Sequence, residues 1–186
     1  MKRNTRLRTT VSAVCVAVGA LVGASTADAQ VTVSLPNSTQ TTTLTATVAE
    51  QASITVPAGV AFTVNNVSAS TASSAVTVSA SGIVLSSALR QVKVSLQANA
   101  ATFTPPSGTA TWNASDVTWN AATWTNATGA AGTLSNSAFN TVATCTADTA
   151  SCDTSALAFT LAANSNIVRS GAYTLVVTWR FEAIGT

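Results

Sequence analysis

Residues 172–184 read AYTLVVTWRFEAI, and their alternation decides the fold class. Tyr173, Leu175, Val177, Trp179 and Phe181 fall on one face of an extended chain, while Thr174, Thr178, Arg180 and Glu182 take the other. Val176 is the exception. Successive side chains of a strand point to opposite faces, so a period of two sustained this long predicts a strand with one face in a core. Working backwards, Leu157, Phe159 and Leu161 alternate with Ala156, Ala158 and Thr160. In residues 89–97, Val92, Val94 and Leu96 are expected inward, with Lys93, Ser95 and Gln97 outward. Residues 53–56, 60–64 and 75–80 are shorter candidates. Pro57-Ala58-Gly59 and Pro105-Pro106-Ser107-Gly108 read as turns, because a proline pair cannot continue a central strand. No segment combines helical periodicity with caps. Many short strands separated by turns predict an all-β chain, an antiparallel β-sandwich in one domain.

The amino terminus carries a different signal. Residues 1–10 hold Lys2, Arg3, Arg6 and Arg8 without an acid, residues 11–22 are largely apolar, and Ala27-Asp28-Ala29 follows. That order predicts a secretory signal peptide over residues 1–29, with the β-sandwich domain over residues 30–186. The apolar run is too short for a spanning helix, which needs about 20 residues. No later run is longer, so no membrane span is expected in the mature chain. Secretion to a periplasm, a cell surface or the medium is the expected localisation.

Subtracting that segment changes the charge. The whole chain has 8 Lys+Arg against 6 Asp+Glu, but residues 30–186 keep four bases and five acids, giving 4 − 5 = −1. Nucleic-acid binding is therefore not expected, since it needs clustered cations to displace phosphate counterions. The absence of histidine removes Ser-His-Asp and Cys-His chemistry. The carboxylates Glu50, Asp116, Asp148, Asp153 and Glu182 are scattered, so no catalytic residue, no metal site and no cofactor is assigned, and the chain does not read as an enzyme. Thr and Ser, 29 and 20 of the residues from 30 onward, supply the contact with water instead. Cys145 and Cys152 are the two cysteines beyond the signal segment, and an even pair in an exported chain reads as a disulfide.

Two stretches are candidates for function. Trp112, Trp119 and Trp124 lie close together beside Asn113 and Asn120. Indole faces stack on the C–H surfaces of sugars while amides bond hydroxyls, so this cluster could bind polysaccharide; otherwise the rings fill the core. The second stretch is residues 31–56, within which residues 41–49 place Leu44, Ala46 and Val48 on one side and Thr41, Thr43, Thr45 and Thr47 on the other. It is either the first strand of the domain or a segment that adds to a sheet edge of another subunit, where main-chain hydrogen bonds and alternate side chains would hold it. A hydroxyl row of this kind resembles ice-binding surfaces, which need several such rows in register. Asn37, Asn66, Asn113 and Asn126 begin Asn-x-Ser/Thr triplets, expected by chance in so hydroxylated a chain.

The Thr-Thr-Thr-Leu-Thr-Ala-Thr-Val start and the closing Ser170-Gly171-Ala172-Tyr173-Thr174-Leu175-Val176-Val177-Thr178-Trp179 resemble bacterial secreted pilin-like proteins of the spore coat protein U and chaperone–usher type. The resemblance implies an Ig-like β-sandwich and a pilus or fibre subunit assembling by β-strand addition, with self-association or other surface subunits as partners. A carbohydrate-binding module using the Trp cluster is the alternative. The chain departs from those pilins in having no cysteine in its amino-terminal strands.

Overall fold

The computed structural model describes residues 31–186, so the expected signal peptide lies outside the described residues. The chain divides into two units, Met1–Thr45 and Ala46–Thr186. Of the first, residues 31–45 carry no strand, and only Val33 escapes full exposure. The second holds eleven strands: β1 (Gln51–Thr55), β2 (Thr71–Ala72), β3 (Val76–Val84), β4 (Gln91–Ala98), β5 (Val117–Trp119), β6 (Ala127–Gly129), β7 (Gly132–Thr133), β8 (Asn140–Cys145), β9 (Ser151–Leu157), β10 (Phe159–Leu161) and β11 (Val177–Ile184). All pairings are antiparallel, in three sheets of order β1-β3-β9, β2-β10-β5-β7 and β11-β4-β8-β6. The fold is all-β, as the alternation predicts. The one helical turn among the described residues is a 3-10 turn at Ala114–Asp116.

One apolar core joins the sheets. It draws Val78 from β3, Val94 and Leu96 from β4, Trp119 from β5, Val142 from β8, and Leu157 with Phe159 and Leu161 from β9 and β10. The alternating set at 157, 159 and 161 is buried throughout. Ala158 sits between β9 and β10, and the chain changes sheet there. Asn120 pins the crossing from both sides. Its amide donates to the Ala156 carbonyl at 3.1 Å and accepts from the Ala158 N–H at 2.9 Å. The disulfide Cys145–Cys152 joins the end of β8 to the start of β9, two strands of different sheets, with Cα atoms 5.8 Å apart. Both sulfur-bearing residues are fully buried.

Three expectations differ from the structure. Ser95, expected outward, is buried, because it lies in a central strand between Arg180 of β11 and Thr141 of β8. A small side chain flanked by longer neighbours on both strands loses its water. Residues 41–49 and 60–64 alternate yet form no strand. Alternation supplies a face to bury, but a strand also needs a neighbour's backbone, and neither segment has a ladder. The long terminal strand begins only at Val177; before it, Thr174 bridges Thr104 alone.

Candidate functional site

An open apolar cleft of about 1080 Å³ lies in the second unit. Val177 and Trp179 of β11 line it on one side. That strand is the outermost of its sheet, so one edge of its backbone has no partner strand. Residues 168–176 continue the same side of the cleft, with Tyr173, Leu175 and Trp179 half-buried along it. The opposite side is the ladderless stretch after β1, which sends Val60, Phe62 and Val64 inward. Core residues such as Leu96, Trp112 and Phe159 form the floor. The cleft is therefore a gap in the core itself, and its size exceeds the roughly 300–1,000 Å³ usual for small-molecule sites.

Aromatic packing shapes one end. Tyr173 meets the Trp112 ring edge-on at 5.1 Å, and its hydroxyl donates to the Arg169 carbonyl at 3.0 Å. Arg169 is exposed and lines the cleft. Among the described residues it is the one cation without an ion pair, since Arg90 pairs with Glu50, and Lys93 and Arg180 share Glu182.

Those two carboxylates have defined surroundings. Glu50 Oε1 accepts from the Ser86 backbone N–H at 2.8 Å and from Arg90 at 2.6 Å, while Arg90 also donates to the Ala183 carbonyl at 3.0 Å. The root of the segment before β1 is thus tied to the β3–β4 connection and to β11. The Ser86 N–H is the main reason the Glu50 carboxyl is held below the usual glutamate range, with the Arg90 charge adding to it. Glu182, opposite Lys93 in the β11–β4 register, is lowered chiefly by the hydrogen bond from that ammonium. A carboxyl whose folded pKa is depressed contributes stability that is present above its unfolded value, near 4.3, and is lost as pH falls through the folded value. Thermal midpoints are therefore expected to hold from neutrality to about pH 5 and to decline below it. The decline should be shallower in the Glu50→Gln, Glu182→Gln double variant, as a pH series of melting curves would reveal.

Of the candidate sugar-binding residues, Trp112 lines this cleft, while Trp119, Trp124, Asn113 and Asn120 do not. Trp112, Trp119 and Trp124 are all buried in the core. The Trp112 and Trp119 indole N–H groups donate to the carbonyls of Ala162 and Ala130, each at 2.9 Å. The Trp124 N–H is buried without an acceptor. All three are almost wholly enclosed, because a chain rich in Ala and Ser needs its few large rings to fill the interior, and Trp112 alone of them also lines the cleft. Asn113 is spent on the 3-10 turn, bonding Asp116 through its backbone and its amide, and Asn120 on the sheet crossing. The cluster is structural in its contacts.

Nothing matches this chain among family models, curated proteins or solved structures.

The segment with Leu44, Ala46 and Val48 has the opposite character. Leu44 is 92% exposed and Val48 70%, and Thr41, Thr43, Thr45 and Ala46 are exposed too. An apolar alternating face without cover and a core cleft without a strand occur in the same chain. Sequence reasoning did not find the cleft. Its floor reads as ordinary core, and the alternation at Val60, Phe62 and Val64 reads as one more short strand.

Proposed function

We propose that the protein is a secreted or cell-surface structural subunit, an Ig-like sandwich lacking one strand, which assembles into fibres by taking a strand from another copy. The supporting observation is the apolar cleft beside the free edge of β11, together with the uncovered Leu44–Ala46–Val48 face. An inserted strand would bond its backbone to the open edge and bury alternate side chains on the floor. Exposed apolar face and open edge are each costly for a monomer, and one docking event removes both. Charge does little to prevent it, because only 8% of the chain is charged. In this reading the protein catalyses nothing, and its partners are copies of itself or other surface subunits. The buried indoles give the polysaccharide reading no comparable support.

The test is electrophoresis of the full mature chain with and without boiling in detergent. A ladder that collapses to monomer on boiling is expected. Leu44→Asp with Val48→Asp should abolish the ladder and leave the monomer folded, since both side chains are exposed. A single monomer band for the unaltered chain in both lanes would sink the proposal.

A further inference from the structure

The cleft has a charged end, and that end sets a direction. Tyr173 and Leu175 line the cleft, and Arg169, which lines it too, lies before them in the chain. In the donor segment the even positions 44, 46 and 48 are apolar, and the next even position is Glu50. Glu50 uses Oε1 for both Ser86 and Arg90, leaving Oε2 without a hydrogen bond among the described residues. Arg169 has no carboxylate partner among them. One unsatisfied cation therefore stands at the 169 end of the cleft. One half-used carboxylate stands at the carboxyl end of the uncovered face.

We infer that Arg169 of one copy pairs with Glu50 of the copy whose segment fills its cleft, fixing that segment antiparallel to the side of the cleft formed by residues 169–179. The inference rests on the strand-addition reading. Its direction follows from order alone. Position 50 ends the donor segment and position 169 begins that side of the cleft, so the two meet only when the segments run oppositely. In the parallel arrangement Glu50 would lie towards Ile184 and would leave Arg169 unpaired. Glu50 then serves as a junction: Oε1 stays on its own domain through Arg90 and Ser86, and Oε2 reaches the neighbour. The charge pair is exposed, so it contributes direction and encounter rate more than affinity.

Pairs of introduced cysteines in the full mature chain test this. After mild oxidation of assembled protein, Glu50→Cys with Arg169→Cys is expected to give chains covalently linked in a ladder that survives boiling without reductant. Glu50→Cys with Ile184→Cys should give none. A covalent ladder from the second pair and not the first overturns the antiparallel direction while leaving strand addition intact. A heat-labile ladder with no covalent link from either pair overturns the register. Absence of any ladder from the unaltered chain removes the underlying reading instead. Because Glu50→Cys also loosens the domain's own tie to Arg90, a second measurement stands apart from it. Arg169→Glu should slow assembly about tenfold at low salt, with the difference closing near 1 M salt as screening sets in. Equal rates for Arg169→Glu and the unaltered chain at low salt would overturn the pairing.

Discussion

Replacing Trp119 by alanine is expected to lower folding stability by about 3–5 kcal/mol, the range for deleting a buried indole. The ring is 3% exposed, stands on β5 in the common core, and packs edge-on against Phe159 at 6.4 Å. Its N–H satisfies the Ala130 carbonyl, so truncation also leaves that acceptor without its partner. The site has little freedom to collapse. A methyl group at Gly132, on the neighbouring strand β7, would overlap the Trp119 ring, which shows how closely the backbone is laid against it. A typical domain holds only about 5–15 kcal/mol in all, so this single change should push much of the population towards unfolding at physiological temperature. Urea titration followed by circular dichroism measures it directly. A ring serving a surface ligand would give the contrary result, near-wild-type stability.

The second large effect concerns the covalent link. Changing Cys145 and Cys152 together to serine should cost about 2.5 kcal/mol, from the chain entropy released when a loop of this length is opened in the unfolded state. Two buried hydroxyls in place of a buried disulfide add to that cost, because both positions are fully enclosed beside Ala80 and Val92. The alanine pair, which leaves a small cavity but no orphan hydroxyls, should lose less than the serine pair. Thermal melts of both pairs under oxidising conditions separate the two contributions. Reductant should lower the midpoint of the parent chain and leave both variants unmoved.

Fold class was legible in the sequence wherever a strand had both an apolar face and a neighbour. Phe181, Leu157 and Val94 announce themselves by alternation, and the structure buries them fully or in part. The disulfide was legible from cysteine parity. What alternation could not reveal is pairing, which is a property of two segments at once. Val60–Phe62–Val64 and Leu44–Ala46–Val48 have the same local pattern as β4, yet neither enters a ladder. Aromatic residues were ambiguous for a related reason. Trp112 beside Asn113 looks identical in sequence whether the ring stacks on a ligand or on Tyr173, and only the packing tells them apart. The cleft is the sum of such unpaired pieces, so no single stretch could display it.

The link between β8 and β9 also bears on how the molecule yields to force. Seven peptide steps separate Cys145 from Cys152, a contour of about 25 Å when drawn out. The bridge holds their Cα atoms at 5.8 Å, so a pulled domain withholds about 19 Å of extension that the reduced chain would release. It also keeps the β3–β9 sheet tethered to the β4–β8 sheet after their hydrogen bonds have parted. A load that opens the domain meets a short leash at that junction, and the stretched chain retains a native contact from which to recoil.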